Sequence, residues 1–247
     1  MESIITPEIV VAYSQCPRKA YNLLFTDKQG IPHEYMAILE EEASKNRENH
    51  LKKIMGKHSD VTLYSPEGVH KGTPIMLEAT LVSEDLQAYV DVLTKIEETA
   101  SQRRHHYTPT LIVGTHKISK EQKLHLAFIG YVLSNLQKEK PKYGTIVGGG
   151  NQSHTTELDT LYKDLGHILR KLRDWTAAQE PESPPVILNR HCPLCLFRKE
   201  CEAKAKEQDE CVNNDYGSAK RQDSIVAMKS HGLPLAAQFT KWFVREQ

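Results

Sequence analysis

The chain has 247 residues, with Lys plus Arg and Asp plus Glu both at 32, so its formal net charge is zero and its pI is about 7.2. That balance excludes a polyanion partner recognised by global charge, and any nucleic-acid surface has to be a local patch. The start, Met1-Glu2-Ser3-Ile4-Ile5-Thr6-Pro7, has neither a basic region nor an apolar run, and nowhere do eighteen apolar residues stand together, so the expectation is a soluble, cytoplasmic protein without a membrane span.

In chain order, Ile9, Val10, Tyr13, Ala20, Leu23 and Leu24 recur at helical spacing behind Thr6-Pro7-Glu8, which predicts a helix over 6–25. A second helix is expected over 34–55, with Tyr35, Ile38, Leu39, Leu51 and Ile54 as sparse apolar positions on an otherwise wet surface. Turn residues at Ser65-Pro66-Glu67-Gly68 and Lys71-Gly72-Thr73-Pro74 introduce three short runs, 75–82, 86–96 and 107–113, read as an antiparallel meander. The polar stretch 97–106 between the last two, with Arg103, Arg104, His105 and His106, reads as a solvated hairpin tip.

A buried helix capped at Ser119 is expected over 119–137, followed by a short strand from Tyr143 that ends in the glycine turn Gly148-Gly149-Gly150. Those glycines lack the Lys-Ser/Thr pair of a phosphate loop. Leu158, Leu161, Leu165, Ile168, Leu169, Leu172 and Trp175 give clean three-and-four spacing for an amphipathic helix over 155–178, which Glu180-Pro181-Glu182-Ser183-Pro184-Pro185 ends. The domain organisation expected is one large domain over 1–210 and a helical tail over 211–247.

Four of the five cysteines form a pattern: Cys16, and Cys192, Cys195 and Cys201 spaced x2 and x5. The start shows no signal peptide, and reducing compartments keep thiols free, so metal binding is expected rather than a disulfide framework. Soft sulfur ligands suit either an iron–sulfur cluster or tetrahedral zinc. Cys211, farther on in a polar stretch, is left out of the set.

Cys16-Pro17-Arg18-Lys19 on the first helix, a meander carrying Asp91 and followed by Lys117, a helix behind that lysine, and the terminal cysteine trio together resemble the RecB-like nucleases that carry an iron–sulfur cluster. That group includes the CRISPR adaptation exonucleases and the AddB-type recombination nucleases. The resemblance implies an α/β fold, the PD-(D/E)xK core, with a mixed sheet flanked by helices and a [4Fe-4S] cluster on Cys16, Cys192, Cys195 and Cys201 that joins the first helix to the C-terminal segment. It also implies a Mg²⁺ or Mn²⁺ centre in which an Asp, and an acid two residues before a Lys, activate water against a phosphodiester.

By that resemblance Asp91 and Lys117 are the catalytic positions, His50 is an additional metal ligand beside Asp91, and Gln122 and Tyr131, flanking His125, contact the nucleic-acid backbone. Thr115 stands where the second acid belongs, and a neutral hydroxyl cannot replace a carboxylate as a Mg²⁺ ligand. The expected function is therefore a DNA-binding protein with a degenerate nuclease centre, acting on single strands or duplex ends with a protein partner in a DNA-processing or defence assembly. Two alternatives stay open: an active Mg/Mn-dependent DNA exonuclease in which Glu78, Glu84 or Asp85 restores the missing charge, and a zinc-clasped protein-interaction module.

Overall fold

The structure is a computed structural model that describes residues 4–27, 30–96 and 105–215, and the side chains up to residue 207. The chain divides into two compact units, Met1–Arg198 and Lys199–Gln247. Of the hairpin tip expected at 97–106, residues 97–104 lie outside the described residues, as does the tail from residue 216, and His106 is buried rather than solvated.

The first unit is an α/β fold around a six-stranded mixed sheet in the order β1-β2-β3-β4-β5-β6. Its strands are β1 (Val61–Leu63), β2 (Ile75–Ser83), β3 (Leu86–Lys95), β4 (Tyr107–Ile112), β5 (Tyr143–Gly148) and β6 (Gln152–Glu157). β2, β3 and β4 form the expected antiparallel meander, while β1 runs parallel to β2 and β4 parallel to β5. A parallel step needs a crossover, and α5 (Lys120–Gln137) supplies the one between β4 and β5. It starts where expected, because Ser119 and Gln122 form a reciprocal capping box.

The expected single helix over 6–25 is two helices, α1 (Pro7–Gln15) and α2 (Pro17–Phe25). Cys16 between them is extended, at φ −164° and ψ 114°. Proline disfavours the α conformation in the residue before it and is itself suited to a first helical turn, so Pro17 ends one helix and begins the next. The amphipathic helix, α6, also starts later than expected and spans Asp159–Ala177. Thr155, Thr156 and Glu157 instead complete β6, which pairs antiparallel with β5 through the glycine turn.

Two layers cover the sheet. On one face the main core joins Ile9 and Val10 of α1, Leu126, Phe128 and Ile129 of α5, and Leu165, Leu169 and Leu172 of α6 to Met76, Val90, Leu93 and Ile146 of the strands. On the other, Ile75, Leu77 and Val92 meet Leu51 and Ile54 of the long helix α3 (Glu34–Lys57). This second layer is thin, and no residue of α3 is fully buried. A short helix, α4 (Pro66–Lys71), occupies the stretch read as turns, capped by the Ser65 hydroxyl and ended by Gly72 at φ 70°. No helix among the described residues is long and apolar enough to cross a membrane.

The alternation of side chains breaks once, at the same level on two strands. Met76 and Ala79 of β2 both face the main core, as do Val90 and Leu93 of β3, although strict period two would place the members of each pair on opposite faces. The adjustment falls at Glu78, which has φ 56°, and across the ladder at Asp91 and Val92. Matched irregularities keep the register, with Leu77 opposite Val92 and Ala79 opposite Val90.

Candidate functional site

Asp91 is fully buried on β3, and both of its oxygens are engaged. Arg47 Nε donates to Oδ1 at 2.5 Å, and the backbone N–H of Ile112 donates to Oδ2 at 2.6 Å. The Arg47 guanidinium also stands 5.4 Å from the centre of the Tyr89 ring, a cation–π contact. Burial pushes the Asp91 carboxyl above its ordinary range, while Arg47, the Ile112 N–H and the charge of His50 oppose that rise.

One face of α3 builds this site. Gly114 lies against its backbone, so close that a Cβ there would fall 2.2 Å from the Leu39 carbonyl oxygen. Asn46 Nδ2 donates to the Val113 carbonyl at 2.9 Å, Arg47 reaches Asp91, and His50 Nδ1 is 2.5 Å from Asn151 Oδ1. Ala43, Asn46, Arg47, His50 and Ile54 recur at helical three-and-four spacing, so the polar trio interrupts the face that continues as Leu51 and Ile54. The apolar positions of this helix were legible in the sequence and His50 was singled out through the resemblance, but Asn46 and Arg47 were indistinguishable from its wet surface.

Of the residues implied by the resemblance, His50 influences Asp91 only through its charge and bonds to Asn151 instead, and the others lie elsewhere. β4 ends at Ile112, so Thr115 and Lys117 lie beyond the strand, in the loop before α5. Val92 pairs with Thr110 across the β3–β4 ladder, and one further step puts Asp91 level with Leu111. The part of β4 that touches this carboxylate is the backbone N–H of Ile112, while the Leu111 and Val113 side chains pack in the main core. Thr115 Oγ1 accepts from Gln122 Nε2 at 2.8 Å, which commits Gln122 to the helix start. Tyr131 packs against the main core and its side chain hydrogen-bonds to Arg173.

The acids named as substitutes for the missing carboxylate are placed as follows. Asp85 is held by Arg173 through two bonds of 2.7 Å, and Glu84 is exposed in the β2–β3 turn at φ 54°. Glu78 lies across the ladder from Asp91 and acts on Arg47, but its side chain is exposed. A single carboxylate, with a guanidinium standing where a cation would stand, is a donor set that does not fit Mg²⁺ or Mn²⁺. Among the described residues, no three His, Cys, Asp or Glu side chains converge as a group able to hold a metal ion.

At the other end of the unit, the chain after α6 runs back over α1 and α2. Arg18 donates to the Ser183 hydroxyl at 2.9 Å and to the Pro184 carbonyl at 2.6 Å, and Tyr21 donates to the Pro181 carbonyl at 3.1 Å. Farther along, Ile31 N–H donates to the Leu196 carbonyl at 3.0 Å. Asn189 joins the two cysteine texts: its backbone N–H donates to Cys192 Sγ at 3.1 Å, and its side-chain amide donates to the Gln15 carbonyl at 3.2 Å.

Burial pushes the Cys195 thiol up, a hydrogen bond from Phe197 and the charge of Lys19 pull it down, and Cys16 and Cys192 stand near enough to push it up again. These three thiols are therefore neighbours, although not drawn into a closed ligand set. Thiols with N–H donors and a lysine beside them are a donor chemistry that fits a soft metal. Cys201 is half-buried in α7 (Arg198–Asp215), in the part of that helix that belongs to the second unit.

Compared with known proteins, the chain matches no protein-family model and no curated protein.

Proposed function

We propose that this protein is a RecB-like DNA-binding module that does not cleave, with Cys16, Cys192, Cys195 and Cys201 as the ligands of a [4Fe-4S] cluster. The observation that carries the absence of cleavage is the occupancy of Asp91: Arg47 and the Ile112 N–H take both oxygens, and Thr115 and Lys117 lie beyond the end of β4. Without a second acid beside it, the carboxylate has no means of holding a divalent ion against a phosphodiester. A mixed sheet flanked by helices supports the fold reading, and the meeting of the Cys16, Cys192 and Cys195 texts supports the cluster as a structural clasp. DNA, as a single strand or a duplex end, is the ligand, and the module works beside a protein partner in a DNA-processing or defence assembly.

Anaerobic purification followed by iron, zinc and acid-labile sulfide analysis, then DNA-binding and nuclease assays on the same sample, tests both parts. The expected protein is brown, contains iron and sulfide, binds oligonucleotides and leaves them intact with Mg²⁺ or Mn²⁺. Digestion that disappears on Asp91→Ala sinks the non-cleaving reading. A colourless protein loaded with zinc keeps the clasp and removes the iron–sulfur assignment.

A further inference from the structure

The loop that carries His116 and Lys117 is fastened from several directions. Val113 N–H donates to the Val147 carbonyl and Gly149 N–H to the Thr115 carbonyl, each at 2.9 Å, while Asn46 and Gln122 hold Val113 and Thr115 by their side chains. Gly149 leaves room for the His116 ring, because a Cβ there would come within 2.7 Å of it. His116 and Lys117 are exposed and line a depression of about 710 Å³, completed by the start of α5, the sheet-edge strand β6 and the start of α6.

The depression brings two lysines and two histidines together with two carboxylates, so its charge is balanced while the histidines are neutral and positive when they are protonated. Lys117 and His116 line one side, Lys123 comes from α5 and His154 from β6, against one carboxylate in the lining, Glu157. Asp159 adds a second acid in the first turn of α6. Lys117 and Lys123 form no ion pair among the described residues. α6 begins here, so the positive end of its macrodipole adds to the lysines, while the start of α5 is closed by its own capping box. α6 starts from Leu158, whose side chain cannot accept from its first-turn N–H groups, and Thr160 offers a hydroxyl beside them. β6 is also an edge of the sheet, with one side of its backbone unpaired by any described strand.

We propose that this depression is a phosphate-binding groove that seats the phosphodiester backbone of a nucleic acid. It deepens the DNA-binding reading and rests on it for the source of the phosphate, but it is separate from the Asp91 site and from the cysteines. Its volume exceeds one phosphate group, and its lysines, its threonine hydroxyls and the start of α6 come from separate elements around it, as contacts to several phosphates of a backbone require.

The test is titration of a labelled single-stranded oligonucleotide with the full chain over a range of NaCl concentrations. The double variant Lys117→Glu/Lys123→Glu is compared with Lys53→Glu/Lys57→Glu, which makes the same charge change on exposed positions of α3. The groove variant is expected to lose affinity about ten-fold or more and to flatten the salt dependence by about one to two units of log–log slope, while the α3 variant stays within about two-fold of the parent. Equal losses in both variants, or none in the groove variant, overturn the groove. If the parent binds no oligonucleotide, the DNA-binding reading fails, and calorimetry with inorganic pyrophosphate then decides the groove alone. Binding that Lys117→Glu/Lys123→Glu abolishes keeps it, and no binding overturns it. Circular dichroism of each variant confirms that the fold is retained.

Discussion

The Arg47 guanidinium donates to the Asp91 carboxylate at 2.5 Å across the gap between α3 and β3, joining a half-buried cation to a fully buried anion. Removing one partner of such a pair leaves the other desolvated, which costs up to about 3–5 kcal/mol when both are buried and less here because Arg47 keeps contact with solvent. Arg47→Ala is expected to destabilise the protein by roughly 2–3 kcal/mol in urea unfolding, whereas Arg47→Met combined with Asp91→Leu recovers much of that loss. Equal stability of Arg47→Ala and the parent would show that the pair does not hold α3 to the sheet.

Two carboxylates give opposite pH dependences. Arg173 beside Asp85 holds that carboxyl below its ordinary range, so its contribution is present above the unfolded-state pKa and is lost as pH falls through the folded one. Burial raises Asp91, so its contribution is complete below the unfolded-state pKa and is lost as pH rises through the folded one. Asp85→Asn is expected to remove part of the acid-side loss of stability, about 1 kcal/mol for a partly exposed bidentate pair. Asp91→Asn is expected to remove a loss on the rising side. Unfolding midpoints from pH 2 to pH 8 separate the two, and curves parallel to the parent's for both variants would reject the assignments.

Glycines at two places make opposite predictions. Gly114→Ala drives a Cβ to 2.2 Å from the Leu39 carbonyl oxygen, a backbone atom that cannot swing aside, and is expected to cost about 1–3 kcal/mol and loosen α3. Gly166, inside α6, has nothing within 4 Å of an added Cβ, so Gly166→Ala is expected to stabilise by about 1 kcal/mol through helix propensity. Thermal unfolding of the two variants checks both signs.

If the cysteines hold a metal, its removal should loosen one region and spare another. Hydrogen exchange after chelation, or in Cys192→Ser, is expected to rise over 178–198 and at α2. α5 and the central strands, which lie in the main core, should keep their protection. A uniform rise across the unit would show that the metal supports the whole fold, and no change would show that the hydrogen bonds from Arg18, Tyr21 and Asn189 suffice to hold the ends together.

Local chemistry in the sequence reaches as far as its own range. Ser119 and Gln122 define the start of α5, and the alternating run at 86–96 and the β-branched run at 107–113 define two strands of the meander, because caps and strand patterns involve neighbours. The same reasoning overran at Cys16, where the restriction imposed by Pro17 outweighs the apolar periodicity on either side. It also overran at Thr155, where pairing with β5 outweighs the helical pattern that begins three residues later.

What the sequence by itself determined is the class of the fold, most of its elements and a pattern of four cysteines at two distant points. Only the tertiary structure decided what stands beside Asp91. Its partner Arg47 comes from a helix read as surface, and the strand level with it ends before Thr115 and Lys117, since register across a ladder is set by the packing of whole strands. The same packing brings Asn189 to Gln15 and sets Lys117 over a groove shared by three elements. Proximity between residues far apart in the chain is produced by burial of the apolar faces, and no local pattern contains it.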